Sequence, residues 1–436
     1  MNEEFLWYLW KYQLFSKDLK TTAGQPVEVI QAGTHNTDSG PDFFNGRIRI
    51  DGTVWAGNIE VHVRSSDWQK HKHNDDPAYE SIILHVVYED DHPLITKQRG
   101  KIPTITLKNG FDPSLYQRYH SFILSESWIA CEKQVRPMNS IYLTNWLQRV
   151  MVERLETKSE SILALYREAG SDFIEAFYRR LLRNFGFRTN GPAFESLAVS
   201  VPFSILSKHI NNLKQLEALL FGQAGLLRDS FRDKYPVELL REYQFLREKY
   251  KLIPLNNGTI RFLRMRPPNF PTIRLSQFAN LMWKTTGLLH SILEAKRLKQ
   301  VSELLRCEAS PYWVTHYRFD KVAGRNAKIM GKHSVDLILI NTIIPYLFVY
   351  GKLNNSESLQ GKAIDWLEEI PPEKNAIIKR FKQIGIISHN AMESQALIQL
   401  KSTYCDHKKC LSCGIGRELL NPDHVGKGHR LSHLPG

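Results

Sequence analysis

Residues 40–68 read GPDFFNGRIRIDGTVWAGNIEVHVRSSDW, and this stretch decides what the first part of the chain can be. Asn58-Ile59-Glu60-Val61-His62-Val63 alternates polar and apolar side chains, the period-two signature of a strand. Ile59, Val61 and Val63 share one face, and Asn58, Glu60 and His62 the other. Phe43 to Ile50 reads as the preceding strand, with Asp51-Gly52 as the hairpin turn. Asp42 follows Gly40-Pro41 and opens that strand, so the hairpin can carry Asp42 toward Glu60.

Carboxylates on neighbouring strands can hold Mg²⁺ or Mn²⁺, hard cations that take oxygen ligands and keep several waters. Such a cation acidifies water and steadies charge on a phosphate. The blander alternative is a polar strand face turned to solvent, which produces the same alternation.

Pro41-Asp42 followed by Glu60-Val61-His62 resembles the PD-(D/E)xK nuclease superfamily, whose members carry an Asp at the start of one strand and an acid-x-Lys on the next. The resemblance covers about the first quarter of the chain. It implies an α+β nuclease-like domain, with Asp42 and Glu60 as metal ligands and a catalytic role for position 62. His62 stands where that superfamily has Lys; a histidine there can polarise water or ligate a metal. Such folds begin with a helix that sometimes supplies an accessory Glu, here Glu4. The whole chain is also similar to an uncharacterised bacterial family with no assigned function. That likeness rests on GPDFFNGRI, the SDW-to-LHVVY segment, residues 217–225 (EALLFGQAG) and a cysteine cluster near the end.

Around this centre, Glu4 to Leu19 reads as an aromatic-rich amphipathic helix, and Pro26 to Gln31 as a strand carrying Glu28, a possible third carboxylate. His35, Asn36 and Asp38 lie in a polar loop before Asp42. After the Glu60 strand, His71, His73 and Asp75 crowd one loop. They are candidate outer partners of the site, or with His62 a nitrogen-rich site of zinc type; a plain polar loop is the alternative. Ser81 to Glu89 and Ile102 to Leu107 read as further strands, the first apolar on both faces and carrying His85 as a core residue. A helix followed by strands with few helical crossovers predicts a mixed-sheet α+β domain over residues 1–130.

From Ser140 the apolar period changes to that of helices, and residues 131–400 read as a mostly helical domain. Its segment Arg261–Arg274 interleaves basic, aromatic and proline residues. Arg261, Arg264, Arg266 and Arg274 are candidate phosphate ligands, with Phe262 or Phe270 stacking on bases. An extended connector with paired arginines gives the same pattern. Residues 401–420 carry Cys405, Cys410 and Cys413, a spacing suited to zinc with His407 as fourth ligand, or to an iron–sulfur cluster completed by Cys131 or Cys307. Residues 421–436, rich in Gly, His and Pro, read as a disordered tail.

Length and composition bound the remaining choices. The chain has 436 residues, 42% hydrophobic and 24% charged, as in ordinary globular proteins. Val335 to Leu353 is its longest apolar run, interrupted by Asp336, Asn341 and Pro345, and reads as a buried helix rather than a membrane span. The start, Met1-Asn2-Glu3-Glu4, lacks the basic region of a signal peptide. Five cysteines, three in one short segment, favour a reducing compartment and a cytoplasmic chain. The net charge is +13, yet residues 1–135 hold 14 basic and 18 acidic side chains, leaving +17 elsewhere. That excess can attract a polyanion such as nucleic acid. No motif points to a small-molecule cofactor. Two functions fit: a metal-dependent phosphodiesterase working through Asp42, Glu60 and His62, or a non-catalytic nucleic-acid binder or scaffold on a degenerate nuclease fold.

Overall fold

In the computed structural model, residues 1–92, 94–96, 100–135, 140–227, 230–256 and 258–420 are described. The expected disordered tail, 421–436, lies outside them. The chain forms two compact units: Met1–Trp146 with Leu400–Gly436, and Leu147–Gln399. The first boundary falls at 146 where the sequence pointed to 130, and the cysteine segment belongs to the first unit.

The first unit opens with helix α1 (Glu3–Lys11). Asn2 caps it by accepting a hydrogen bond from Phe5 N, and Glu3 and Glu4 occupy its first turn, where acids complement the helix dipole. Phe5, Leu6, Tyr8, Leu9 and Trp10 are buried. The helix ends well before Leu19: Gln13 takes φ 51°, and Leu14 N donates back to Leu9 O at 3.0 Å. Phe15 then stacks on Trp10, with ring centroids 5.5 Å apart.

A mixed sheet follows. Its strands are β1 (Leu19–Lys20), β2 (Pro26–Gln31), β3 (Thr34–His35), β4 (Phe43–Ile50), β5 (Thr53–Arg64), β6 (Ile82–Glu89) and, after a small hairpin β7 (Ile95–Thr96)–β8 (Gly100–Lys101), β9 (Thr104–Thr106). The order is β1-β2-β4-β5-β6-β9, with β3 also paired to β4. Strands β2, β4 and β5 form an antiparallel meander; β5–β6 and β6–β9 are parallel. A parallel pair needs a long connection, and residues 65–81 supply it through helix α2 (Asp67–Lys70) and two 3₁₀ turns, His73–Asp75 and Pro77–Tyr79. Trp68, Ile82, Leu94 and Ile102 form a buried cluster, with Tyr79 packed against it.

Strand β5 changes character along its length. Val54 and Trp55 are exposed, whereas Ile59, Glu60, Val61 and His62 are all buried. The solvated-face alternative for Glu60 and His62 therefore does not hold: they are only 4% and 1% exposed. Tight backbone approaches fix the register. A Cβ on Gly57 would stand 2.5 Å from Ser81 O and 2.5 Å from an Ile83 methyl. On β4, Asn45 at φ 58° forms a bulge between Phe43 and Gly46, and such bulges re-aim a strand end.

Helix α3 (Pro113–Leu124) and the start of α4 (Ser140–Glu168) complete the main elements before the second unit, which is predominantly helical. There Gly222, in the helix Leu213–Gln223, allows contact with Tyr243 where a Cβ would fall 2.1 Å from the ring. Residues Lys332–Leu353 form a helical run apolar and long enough to cross a membrane, but 72% of its most apolar window is buried within the protein.

Gly57→Ala should destabilise the first unit by about 1–3 kcal/mol, because neither neighbour is the free end of a flexible chain. Gly361, in the helix Glu357–Glu369 with nothing within 4 Å of its would-be Cβ, is the control: Gly361→Ala should raise stability by roughly 0.5–1 kcal/mol. Urea denaturation followed by far-ultraviolet dichroism reads both; a neutral Gly57→Ala contradicts the close packing of β5 on β6.

Candidate functional site

Asp42 is presented by a loop that Asn36 shapes. The Asn36 side-chain amide donates to Asp38 O, Ser39 O and Pro41 O at 3.1–3.2 Å, and its backbone N donates to Asp42 O at 2.8 Å. Gly40 in this loop takes φ 101°, which only glycine adopts without strain. Beyond the loop, Phe43 pairs with Ile59, so one residue earlier Asp42 stands opposite Glu60. The two residues then hold each other's strands. Asp42 N donates to Glu60 Oε2 at 3.1 Å, and Val61 N donates to Asp42 Oδ2 at 2.9 Å. Burial raises both carboxyls far above the usual range. The Val61 N–H opposes this at Asp42, and the neighbouring Asp42 charge adds to it at Glu60.

The other Glu60 oxygen, Oε1, faces imidazoles: His73 Nε2 at 3.4 Å and His62 Nε2 at 3.6 Å. His62 Nε2 also lies 3.2 Å from His71 Nδ1, while His62 Nδ1 meets His85 Nε2 at 2.9 Å from the parallel strand β6. Among the described residues, His62, His71 and His73 are the group of three ligand atoms all within 4.8 Å of one another. Tyr79 stacks on His73 at 3.8 Å, and Trp68, 1% exposed, stands edge-on to His62, His73 and His85. Trp68 Nε1 donates to Asn74 Oδ1 at 3.0 Å, which ties the 3₁₀ turn bearing His73 to α2.

Burial, reinforced by the neighbouring imidazoles, drives His62 down to about 2, His73 to about 4 and His85 to about 3. At neutral pH all three are uncharged and can offer a lone pair. With His62 donating from Nδ1 to His85, its Nε2 is left as an acceptor, the second-sphere arrangement that holds a metal-binding histidine. His73 Nε2 is buried with no hydrogen-bond partner. His62 Nε2 and His73 Nε2 both lie within 3.6 Å of Glu60 Oε1, close enough for the three atoms to share one ion. The site thus joins a buried carboxylate pair to a set of neutral nitrogens.

Asp42, Glu60, His62, His71 and His73 come together; other residues singled out from the sequence do not. Glu28 is exposed and ion-paired with Arg49, seven residues along the chain from Asp42 and so roughly 20 Å away at the strand rise. It faces solvent because Val27 takes the buried side of β2. Asp75 is exposed and outside the histidine group. Arg274 is not a phosphate ligand: it is 4% exposed in the helix Pro271–Lys284, donating to Gln277, Asn269 and Ser334 and lying over the Phe187 ring. Arg261, Arg264 and Arg266 are exposed. Phe262 and Phe270 pack edge to face with each other, and Arg318 lies over both.

Some residues at the site had no clear signal in the sequence. Glu3, not Glu4, is the α1 acid whose charge reaches Asp42, Glu60 and His71. It lies four residues before Trp7 on the inward-turning side of the helix, a periodicity that could have distinguished the two. His85 looked like an isolated core histidine on an apolar strand; its pairing with His62 depends on the parallel β5–β6 register.

The chain belongs to a protein family of unknown function, DUF2851, whose model matches residues 3–376. That span includes every residue of the histidine–carboxylate site and stops before Cys405. No curated protein and no solved structure matches the chain.

The depressed imidazoles set a pH dependence. Below their ordinary pKa near 6.5, the unfolded chain binds protons that folded His62 and His85 refuse, so their contribution to stability falls with pH from about 6.5 toward about 3, by roughly 1.4 kcal/mol per pH unit for each. His85→Gln, which keeps a polar partner for His62, should reduce the loss between pH 7 and 5 by about 1–2 kcal/mol. Urea midpoints of both proteins at the two pH values measure this, and equal losses would contradict a buried neutral His85.

Proposed function

We propose that the first unit is a metal-dependent hydrolase of phosphodiester bonds in nucleic acid, acting through Asp42, Glu60 and His62. The observation that carries this reading is the reciprocal pairing of Asp42 and Glu60 across β4 and β5, with Glu60 Oε1 turned to His62 and His73. The order of elements supports it: a helix, three antiparallel strands, a crossover and a fourth strand parallel to the third. In PD-(D/E)xK nucleases the Asp opens one strand and the second acid lies on the next, as Asp42 and Glu60 do. The net charge of +13 suits a polyanionic substrate.

Asp42 and Glu60 would hold a Mg²⁺ or Mn²⁺ ion, with His62 and His73 as further ligands. The donor set fits, since the carboxylates are adjacent and His73 Nε2, 3.4 Å from Glu60 Oε1, is buried without a hydrogen bond. When bound, the cation supplies a Lewis acid for a phosphoryl oxygen and lowers the pKa of water. The chain's own contributions are distinct. His62, uncharged and fixed by His85, orients a hydrogen-bonding group beside Glu60. His71, exposed at the rim, is placed to meet incoming substrate. Tyr79 and Trp68 keep His73 from turning away. The binder alternative draws on one observation: His62 is 1% exposed and lacks the permanent charge that lysine brings to this position.

Cleavage of single- and double-stranded DNA and RNA with Mg²⁺ or Mn²⁺ tests the proposal. Asp42→Asn and Glu60→Gln should each cut the rate by roughly two orders of magnitude or more while preserving the far-ultraviolet dichroism. Salt-dependent binding without cleavage would favour the binder, and cleavage surviving both changes would refute the assignment. A second measurement does not need the substrate. Because burial keeps a proton on the Asp42–Glu60 pair at neutral pH, Mn²⁺ binding should release it. Calorimetry in two buffers of different ionisation enthalpy should give different heats, and Glu60→Gln, which removes the more firmly held proton, should shrink the difference.

A further inference from the structure

Four of the five cysteines belong to the first unit, although Cys131 and Cys405 lie far apart in the sequence. Cys131, Cys410 and Cys413 are buried and Cys405 is partly so, and all are free thiols. The segments that bear them are packed together. Lys401 lies over the Trp128 ring at 5.1 Å, Lys408 Nζ donates to Ile123 O, and Arg118 Nε donates to Leu420 O at 2.7 Å. The sulfurs are close enough for the charges of Cys410 and Cys413 to act on Cys131, and for those of Cys413, Cys131 and Cys410 to act on Cys405. Cys307, by contrast, is buried beside Arg274 in the second unit, and His407 is exposed.

The turn that carries the last two sulfurs, Cys410-Leu411-Ser412-Cys413-Gly414-Ile415-Gly416, is built around them. A Cβ on Gly416 would fall 2.2 Å from Cys410 O, and one on Gly414 would fall 2.6 Å from the Trp146 ring. With glycine at both places the chain folds back over Cys413. The Gly416 and Ile415 backbone N–H groups then point at its sulfur, with the Trp146 ring packed against Gly414 beside it. Donors aimed at a sulfur favour the thiolate over the thiol, although burial opposes this and holds the metal-free thiols protonated. Four thiols gathered in this way, with amide donors on one of them, suit a positively charged centre that would replace their protons.

The spacing distinguishes between metals. A single zinc ion with Zn–S bonds of ~2.3 Å draws its four sulfurs to about 3.8 Å from one another. Among the described residues no three of these sulfurs lie within 4.8 Å of one another, since that criterion is met by His62, His71 and His73. A polynuclear centre has its cysteines on different metal atoms and so holds them farther apart.

We propose that Cys131, Cys405, Cys410 and Cys413 ligate an iron–sulfur cluster that fastens residues 123–135 to residues 400–420. The first unit is made of two pieces of chain with the whole of residues 147–399 between them. A cluster bonded to both pieces closes that unit covalently, and its ligands lie on different elements from Asp42 and Glu60.

The full chain purified without oxygen should contain iron and acid-labile sulfide in near-equal amounts. It should also show a broad visible absorption that dithionite bleaches. One zinc per chain without sulfide, or no metal, overturns the proposal. Cys131→Ser should lose most of its iron, whereas Cys307→Ser should keep it; full retention in Cys131→Ser overturns the four-ligand assignment. If Cys131→Ser does not fold, the Mössbauer spectrum of the unaltered protein decides, since a non-cysteine ligand to the cluster would contradict the assignment. Asp42→Asn should retain its iron, so failure of the nuclease reading leaves this one standing.

Discussion

Two backbone-to-carboxylate hydrogen bonds, Asp42 N to Glu60 Oε2 and Val61 N to Asp42 Oδ2, hold the first unit's site in place. Such bonds contribute about 0.5–1.5 kcal/mol each to a neutral acceptor and about 1.5–3 kcal/mol to a charged one, but burying two carboxyls side by side costs more than isolated surface acids would. The result is a pair whose protons are hard to remove, set across the junction of two strands. Other features depend on that pairing. It fixes the start of β4 against the buried half of β5, turns Glu60 Oε1 toward His73, and requires the Asn36-shaped loop that delivers Asp42. Trp68 and Tyr79 then close the crossover over the imidazoles, and the parallel β6 places His85 behind His62.

Much of this arrangement was legible in the sequence because it is local. The alternation through Asn58–Val63, the Asp51-Gly52 turn and the position of Asp42 at a strand start are all set by neighbours within about twenty residues, and the hairpin register follows from them. The features that were missed are set by tertiary contacts. Glu3 and Glu4 differ by one position on a helix, and only the spacing of Glu3 to Trp7 hints at which turns inward. His85 becomes part of the site through a parallel pairing that no local pattern encodes. Glu28 alternates as Glu60 does, but its strand sits farther along the sheet, where the same outward face meets solvent and Arg49.

Charge counting overstates the surface field for a related reason. The excess of +17 outside residues 1–135 treats every basic side chain as surface, yet several are structural. Arg274 is buried and spends its guanidinium on Gln277, Asn269 and Ser334. Lys158 is enclosed, donating to Ile340 O, Asn341 and Gln395, and burial moves its pKa well below the ordinary value. Arg154, nearby, donates to Gln395 and Gln399. Buried cations of this kind require satisfied donors, and they leave a weaker external field than the formal charge suggests.

The proposed chemistry turns on what replaces lysine at position 62. A lysine would bring one permanent positive charge beside two carboxylates and a cation. His62 brings none, because burial and the surrounding imidazoles keep it neutral. A divalent ion would then be balanced by ionised Asp42 and Glu60, with the Glu3 charge adding to theirs, and position 62 would offer no positive charge to a phosphodiester. Neutral imidazoles also alter the choice of ion. Mg²⁺ binds oxygen and sheds water reluctantly, whereas nitrogen donors favour Mn²⁺ weakly and later transition ions progressively more. On the proposed reading, the histidines move selectivity away from Mg²⁺ toward ions that accept both carboxylate and imidazole. On the same reading, His62 and His73 would supply ligand strength where the nuclease pattern supplies charge, with His85 holding His62 from behind.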